Sequence, residues 1–406
     1  MAPLRKSALG VFLMAFAAWL CWPYDRGQLS VLVILDTVRA DHTSVCGYTR
    51  PTTPVLEELV AQGASLSCDV WAPGSWTLPS HASYFTGLSV PEHHAHPVDR
   101  EGAPAEDGER ALGSARSLHG DFSTLAEQRP AILVSGNPVL GPASGLDQGF
   151  RYSYVPLRFG QAYGNDFVHA LTSGLLQARD KDLLVLNISD AHQPWGDIPD
   201  GLEWLPPTKK LNYRPERKRG LWRLWHAGKP DEAQRQRIVD LYDYAILLAD
   251  RTLGKALDAI AMQGFSIQDL TITSDHGEHL GEHGLLGHGH YLTDENQRVP
   301  LISTHALPEG PISATVVYDL ALGEVPVDRP VRAVAYPHRT KRQWFEQKGL
   351  FGHTSARAWD PDQHWISPAP LPEGDFGVFV REALESGIAT SDESVLQNRL
   401  EALGYF

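Results

Sequence analysis

The chain has 406 residues, of which 42% are hydrophobic and 21% are charged, so it is long and apolar enough to bury a substantial core. Its net charge of −14 argues against proteins that bind nucleic acid through a broad basic face, and we expect no nucleic-acid partner. Three cysteines are too few for a disulfide-built scaffold.

The first 27 residues differ in pattern from the rest of the chain. Arg5 and Lys6 precede an uncharged, mostly apolar run from Ala8 to Trp22. That run is short for a membrane-spanning helix, which needs about 20 residues. The pattern favours an export signal or a short membrane anchor over a buried first helix. We therefore expect the rest of the chain to be periplasmic or extracellular, with membrane contact through the N-terminus if the segment is retained.

Two cysteines leave a structural question open. Cys21 falls inside the N-terminal apolar run, whereas Cys46 and Cys68 lie in the part that we expect to fold. An oxidising compartment allows these two to form a disulfide, and two unpaired buried thiols are equally compatible with the sequence.

Strand and helix patterns alternate along residues 28–305. The run from Leu29 to Leu35 is continuously apolar and rich in β-branched residues, as in a central strand covered on both faces. Thr53 and Pro54 begin a helix that ends before Gly63, because a capping residue, an early proline and a final glycine mark its ends. Further strands are predicted at 66–71, 131–135, 182–189, 270–274 and 299–303, and further helices at 79–86, 163–179 and 232–263.

This alternation predicts an α/β fold with a mostly parallel central sheet and helices on both faces. After about residue 305 the pattern gives way to proline-rich and aromatic segments. The predicted division is a signal or anchor at 1–27, a catalytic domain at 28–305 and a small C-terminal subdomain at 306–406. A basic, aromatic segment between Trp204 and Trp225 is either a solvated loop or a contact for an anionic substrate or lipid headgroup.

Acidic residues and a histidine follow two of the predicted strands. Asp36 ends the first strand, and Asp275 and His276 end the strand that begins at Leu270. Because ligand sites in α/β sheets form beyond the carboxyl ends of the strands, these side chains can converge on a divalent cation. An aspartate at a strand end is also a common turn or capping residue, and the presence of both segments is what favours the metal interpretation.

Thr77 lies two residues before Pro79, where a short helix is predicted to begin. A hydroxyl at a helix N-terminus lies beside unpaired backbone N–H groups and the positive end of the helix dipole, which together attract anions. Beside a divalent cation as well, Thr77 would lose its proton more readily and become a nucleophile. Helix capping is the alternative role for a threonine in this setting.

Taken in order, these segments resemble the sulfatase family of the alkaline phosphatase superfamily. The resemblance rests on Asp-Thr-Val-Arg-Ala-Asp-His at 36–42, Gly-Tyr-Thr-Arg-Pro-Thr-Thr-Pro at 47–54, Thr-Leu-Pro-Ser-His-Ala-Ser at 77–83 and Ser-Asp-His-Gly-Glu-His-Leu-Gly-Glu-His-Gly at 274–284. Shorter matches occur at 145–150, 190–195 and 241–243. The likeness covers residues 29–305 well and implies the superfamily's fold and metal-dependent ester chemistry.

The resemblance also implies roles for individual residues. It implies a divalent metal held by two acids and a histidine, with the Thr77 side chain facing it. It implies an anion contact at His192, and at His288 or His290 a group that holds the transferred group or protonates the leaving oxygen. A structural role is the alternative for each of these histidines. The predicted site is therefore catalytic Thr77, His288 and His81, substrate-binding His192, His290 and Arg39, and metal-binding Asp36, Asp275, His276 and Thr77.

Three positions depart from the family pattern. Family sulfatases carry a Cys or Ser that is oxidised to formylglycine where this chain has Thr77; their usual arginine is His81, and the usual second aspartate is Thr37. A sulfated threonine lacks the second hydroxyl through which hydrated formylglycine expels sulfate. A phosphothreonine can be resolved by in-line attack of water or another acceptor. Related phosphodiesterases, phosphoethanolamine transferases and lipoteichoic acid synthases use threonine nucleophiles.

We therefore predict an exported, metal-dependent hydrolase or transferase that acts through Thr77 on a phosphate ester, with ester hydrolysis as the expected reaction class. The substrate is a small anionic ester or an envelope glycan or lipid headgroup. Few carboxylates and several histidines favour zinc or manganese over calcium, at one or two metal sites. Two alternatives stay open: a sulfate-ester hydrolase that works without formylglycine, and a catalytically weak relative that binds an anionic ligand.

Overall fold

The computed structural model describes residues 25–98, 114–115, 124–207, 231–289, 292–335, 355–358, 364–366 and 378–382. The strands, in chain order, are β1 (Gly27–Leu35), β2 (Ser65–Trp71), β3 (Pro97–Val98), β4 (Ser114–Ala115), β5 (Ala131–Ser135), β6 (Tyr152–Tyr154), β7 (Leu183–Ile188), β8 (Phe265–Thr273), β9 (His279–Leu280), β10 (Leu286–Gly287), β11 (Arg298–Ser303), β12 (Ile312–Ser313), β13 (Arg332–Ala335), β14 (Ser355–Ala358) and β15 (His364–Ile366). The helices are α1 (Pro54–Ala61), α2 (Thr77–Thr86), α3 (Val90–His93), α4 (Leu125–Gln128), α5 (Asn165–Leu175), α6 (Glu232–Met262), α7 (Asp294–Gln297) and α8 (Val317–Leu322).

Eight of these strands form the main sheet, in the order β12-β2-β11-β8-β1-β7-β5-β6. Neighbouring strands are parallel except around β11, which runs antiparallel to both β2 and β8. The predicted α/β fold with a mostly parallel sheet is confirmed. The parallel run β8-β1-β7-β5 brings four carboxyl ends to one edge of the sheet, and the candidate site lies there.

The central strand β1 shows why helices cover both faces of the sheet. Leu29, Val31, Val33 and Leu35 point to one face and pack with side chains of α1, α5 and α6. Leu32 and Ile34 point to the other face and pack with side chains of α2 and α8. Because both faces of this strand are buried, its period-two alternation is hidden inside one continuous apolar run.

The elements predicted from the sequence are present, with shifts at their ends. The strand expected from Leu270 begins at Phe265, and the helix expected from Pro79 begins at Thr77. Strands β6 and β12 are short and had no signal in the sequence. All the basic residues of the segment between Trp204 and Trp225 lie outside the described residues.

The C-terminal part after residue 305 contributes to two sheets. Strand β12 adds to the main sheet beside β2, and α8 packs into the core on the same face as α2. Strands β13, β14 and β15 form a separate three-stranded antiparallel sheet. The main body thus extends past the predicted boundary at residue 305, while a separate C-terminal subdomain stays a prediction.

The N-terminal run of residues 1–24 lies outside the described part of the chain. Within the described residues, no helix combines the length and apolar character needed to cross a membrane. The signal or anchor predicted at 1–27 therefore stays a prediction.

Cys46 and Cys68 form a disulfide that closes a loop around α1, which decides between the two alternatives left by the sequence. The half-cystines are 22 residues apart in the chain. A cross-link of this span lowers the entropy of the unfolded chain and stabilises the fold by about 3 kcal/mol in the loop-closure model.

The double variant Cys46→Ser/Cys68→Ser should therefore lose about 3 kcal/mol of unfolding free energy, measured by urea denaturation. Reducing agent provides the control, because it should destabilise the parent and leave the double variant unchanged. A double variant as stable as the oxidised parent would contradict this prediction.

Candidate metal centre

Four adjacent parallel strands each deliver a polar side chain to the same edge of the sheet. Asp36 directly follows β1 and Ser189 directly follows β7, while Asp275 lies two residues after β8 and Asn137 two residues after β5. Their strands are neighbours in the sheet, so residues more than a hundred positions apart in the chain come into contact.

Asp36, Asp275 and His276 form a buried cluster whose potential ligand atoms all lie within 4.8 Å of one another. Nε2 of His276 lies 3.3 Å from Oδ2 of Asp275 and 3.9 Å from Oδ1 of Asp36. Within the described part of the chain, none of these three atoms has a hydrogen-bond partner, although all three residues are fully buried. Buried, unpaired carboxylate oxygens are costly, and a divalent cation among them would satisfy all three atoms. The donor set therefore fits the metal that the sequence predicts.

The remaining polar atoms of the three residues are held by hydrogen bonds that aim the unpaired atoms at each other. Oδ2 of Asp36 accepts from Asn137 at 2.6 Å and from Ser189 at 3.0 Å. Oδ1 of Asp275 accepts from the backbone N–H groups of Thr37 at 3.1 Å and His276 at 3.0 Å. Nδ1 of His276 lies 3.0 Å from the carbonyl oxygen of Gly277, so Nδ1 is the donor and Nε2 is the nitrogen that faces the two carboxylates.

The charges of this cluster favour a positive species between the acids. Burial disfavours a charged imidazole, but the carboxylates of Asp275 and Asp36 outweigh it and raise the pKa of His276 to about 9. Burial likewise opposes ionisation of Asp275, yet the charge and hydrogen bond of His276 hold the pKa of its carboxyl well below the usual range. A cation and a proton therefore compete for the same place.

Thr77 is joined to this cluster by one amide group. Nδ2 of Asn137, which lies 2.6 Å from Asp36, is also 3.1 Å from the hydroxyl oxygen of Thr77. Thr77 is fully buried and is the first residue of α2, whose cap position is Trp76, so it does not serve as the helix cap. The structure thus brings the predicted nucleophile to the side of Asp36.

His81 lies one turn after Thr77 on α2 and is fully buried. Its Nδ1 lies 3.0 Å from the carbonyl oxygen of Thr77, and its Nε2 lies 3.2 Å from the side-chain nitrogen of Asn187. Burial lowers the pKa of His81, so the ring is neutral, donates from Nδ1 and accepts at Nε2. With both nitrogens bonded to the protein, His81 is arranged to hold the start of α2. Its catalytic role stays a prediction that these contacts do not support.

His192 and His288 lie next to the metal cluster with their rings 5.2 Å apart, and the ring of His288 is 4.4 Å from that of His276. Phe159 stacks on His192 with ring centroids 4.1 Å apart and planes within 2°. Nδ1 of His192 is 2.6 Å from the carbonyl oxygen of Gln193, so this nitrogen is the donor. Burial lowers the pKa of His192, which leaves Nε2 of a neutral ring as an acceptor. This tautomer suits proton acceptance better than the predicted contact with an anion.

Glu278 contacts His288 and Gln193, the residue that follows His192. Its carboxyl group lies 2.9 Å from Nδ1 of His288 and 3.2 Å from the side-chain nitrogen of Gln193, next to His192. Burial raises the pKa of Glu278 to about 7, so this carboxyl can carry a proton near neutral pH. His290, the alternative to His288 in the prediction, lies outside the described residues.

Arg39 is bound to protein acceptors. Its guanidinium forms a two-bond contact with Asp41, at 2.9 and 2.7 Å, and reaches Glu282 at 2.7 Å and the carbonyl oxygen of Glu278 at 2.9 Å. These bonds tie the segment after β1 to the segment after β8. The substrate contact predicted for Arg39 stays a prediction, and the site as described does not need it.

Several residues of this site were missed by the sequence interpretation. Asn137 and Ser189 follow strands that the sequence does reveal, and a polar residue at a strand end was the available signal. Glu278 lies inside the motif at 274–284 but carried no assigned role. Phe159 has no local signal, because it reaches His192 from a loop.

Comparison with known proteins places this geometry in a family context. The sulfatase family model matches residues 28–127, a range that contains Asp36 and Thr77, so the resemblance to that family is confirmed for this part of the chain. The phosphoethanolamine transferase EptA of Salmonella typhimurium is 24% identical over 293 residues, which cover 68% of this chain and 46% of EptA. The chain therefore spans about half the length of the curated relatives that it matches.

Solved structures bear out the fold. The phosphonate monoester hydrolase of Agrobacterium radiobacter superposes with a TM-score of 0.57 at 17% identity, covering 94% of each chain. The C-terminal periplasmic domain of phosphoethanolamine transferase EptC from Campylobacter jejuni superposes with a TM-score of 0.51 at 18% identity, covering 74% of this chain and 89% of that domain. The expected alkaline phosphatase and sulfatase-like fold is thus confirmed.

Replacing one acid of the cluster should remove the metal. Asp36→Asn exchanges an unpaired carboxylate oxygen for a neutral amide, and we expect Zn²⁺ affinity to fall by more than about 10-fold, measured by competition with a chelator. Asp258→Asn, an exposed position on α6, is the matched control and should bind like the parent. Equal metal binding by parent and Asp36→Asn would rule out a metal centre at this cluster.

Proposed function

We propose that the protein is an exported, metal-dependent enzyme that transfers a phosphate-ester group through Thr77. The observation that carries this proposal is the bridge made by Asn137 between the Thr77 hydroxyl and Asp36, beside three buried ligand atoms that have no hydrogen bond within the described residues. With a divalent ion at these three atoms, the Thr77 hydroxyl would lie beside a positive charge that can also bind the anionic substrate.

Asp36, Asp275 and His276 are the residues that would hold the divalent ion, with Thr77 facing it. When bound, this ion lowers the pKa of a neighbouring hydroxyl and offsets the negative charge of the phosphoryl oxygens. Two carboxylates with one imidazole suit zinc or manganese. The histidines beside the cluster could serve as ligands of a second ion.

The start of α2 is the proposed anion-binding element. This ten-residue helix begins without a side-chain cap, so its first N–H groups are available to phosphoryl oxygens. The buried hydroxyls of Ser75 and Ser80, at the same end of the helix, have no hydrogen-bond partner among the described residues. An anion there would give these donors their partners.

Transfer proceeds in two displacement steps at phosphorus. The Thr77 oxygen attacks the phosphorus atom and loses its proton, while the bond from phosphorus to the leaving oxygen breaks and that oxygen takes up a proton. An acceptor hydroxyl then attacks the phosphothreonine and gives up its proton to a base, while the bond from phosphorus to the Thr77 oxygen breaks and that oxygen takes up a proton. We assign delivery of the proton to the leaving oxygen to His288, whose Nδ1 is oriented by Glu278, and acceptance of the proton from the attacking hydroxyl to the neighbouring His192.

We propose the substrate and the acceptor of the phosphoryl group from the similarity to named relatives. The curated relatives are named phosphoethanolamine transferases, so we propose transfer of a phosphate-linked headgroup within the cell envelope, with water as a competing acceptor. Sulfate-ester hydrolysis is the less favoured alternative, because Thr77 has no second hydroxyl through which to expel sulfate. The Cys46–Cys68 disulfide supports an oxidising, extracytoplasmic location.

Replacement of Thr77 tests the nucleophile. Thr77→Ala should lower kcat/KM for bis-nitrophenyl phosphate by about 10³-fold or more, because no covalent intermediate can form, while Thr77→Ser should keep much of the activity. Thr86→Ala, at the far end of the same helix, is the matched control.

Metal content measured on the same samples separates a lost nucleophile from a lost ion. Acid quenching followed by peptide mass analysis should show the substrate's phosphoryl group on residue 77 of both proteins: on the threonine of the parent and on the serine of the Thr77→Ser variant. Parent-like turnover by metal-loaded Thr77→Ala would eliminate the proposed mechanism, and turnover of nitrophenyl sulfate alone would favour the sulfatase alternative.

A further inference from the structure

The turn that follows Asp36 has an unusual backbone. Thr37 has φ of 64°, in the left-handed region that β-branched residues rarely adopt because it is strained for them. Its N–H group donates to Oδ1 of Asp275 at 3.1 Å, and its peptide bond joins it to Asp36. The conformation of this one residue therefore influences the direction of two metal-ligating carboxylates at once.

A single buried hydroxyl holds that turn from the opposite side. The hydroxyl of Tyr242, a fully buried residue of α6, donates to the carbonyl oxygen of Thr37 at 2.5 Å and accepts from the N–H of Arg39 at 3.0 Å. It thus uses both its donor and its acceptor on the two ends of the turn. The turn is also bonded to the segment after β8, since the N–H of Val38 donates to the hydroxyl of Ser274 at 2.9 Å.

The next residue of α6 anchors the chain beyond the turn. Asp243 accepts from His42 at 2.7 Å, from the hydroxyl of Tyr48 at 2.8 Å and from Arg50 at 2.7 Å. This set of bonds does not involve the Tyr242 hydroxyl. Removing that hydroxyl should therefore leave α6 attached to residues 42–50 and release only the turn at Thr37.

We propose that Tyr242 is a positioning residue of the metal centre, whose hydroxyl keeps Thr37 in its left-handed conformation and so aims Asp36 and Asp275 at the same cation. It acts through the turn and does not touch the ion. The inference rests on the metal centre alone and does not depend on Thr77 chemistry or on the identity of the substrate.

Tyr242→Phe tests this role because it keeps the buried ring and removes only the hydroxyl. Competition with a chelator should show Zn²⁺ affinity at least about 10-fold weaker than in the parent, as is typical when a group that orients a metal ligand is lost. Tyr244→Phe is the matched control: it is another buried tyrosine of α6 that makes neither of these two bonds, and it should bind within about twofold of the parent.

Repeating the Tyr242→Phe substitution in a Thr37→Gly protein distinguishes an effect on the position of the turn from an effect on the stability of the whole fold. Glycine adopts positive φ without strain, so in a Thr37→Gly protein the turn needs less support, and adding Tyr242→Phe should weaken Zn²⁺ binding by no more than about twofold. Thermal unfolding of the same metal-free variants reports their stability.

Two outcomes would overturn the proposal. One is a Zn²⁺ affinity of Tyr242→Phe equal to that of Tyr244→Phe, even if Tyr242→Phe unfolds at a lower temperature. The other is an equal loss of affinity with Thr37 and with Gly at position 37, because the hydroxyl would then not act through the turn. If Tyr242→Phe does not fold, the double variant with Thr37→Gly decides: Zn²⁺ binding lost there contradicts the proposal, and binding retained supports it.

Discussion

The structure depends on the electrostatic requirement of two carboxylates and an imidazole that face one another in the interior. Asp36, Asp275 and His276 are fully buried, and each directs an atom without a hydrogen-bond partner in the described residues toward the same point. Desolvated negative charge is stable only beside a positive partner. A cation bound at this point would compete with the proton on His276 and satisfy all three atoms at once.

The parallel sheet makes such a site possible. The strands β8, β1, β7 and β5 lie side by side, so the residues after their carboxyl ends meet although they are far apart in the chain. Each segment supplies a different function: ligands follow β1 and β8, while Asn137 and Ser189 orient Asp36 after β5 and β7. The start of α2 adds Thr77 and an uncapped helix end to the same edge. The candidate metal ligands, the predicted nucleophile and the proposed anion site thus lie at one edge of the sheet.

Around this edge lies a set of polar residues that tie its segments together. Arg39 ties the segment after β1 to the segment after β8, and His81 fastens the first turn of α2 to Asn187. The sequence predicted a catalytic role for His81 and a substrate-binding role for Arg39, and both roles stay predictions. In the structure, the donors and acceptors of both side chains bond to other groups of the protein.

Sequence alone determined the layer order, the main strands and helices, and the identity of the candidate ligands and nucleophile. The strands and helices are local features, since an apolar run or a capping pattern can be identified within a few neighbouring residues. The candidate ligands and nucleophile came from several short segments taken together and from their resemblance to the sulfatase family. Tertiary structure alone decided the Cys46–Cys68 bond, the roles of Asn137 and Glu278, and the contact of Tyr242 with the turn at Thr37. These depend on pairs as much as about 200 residues apart, as with Tyr242 and Thr37, and no local pattern records which distant partner a side chain will meet.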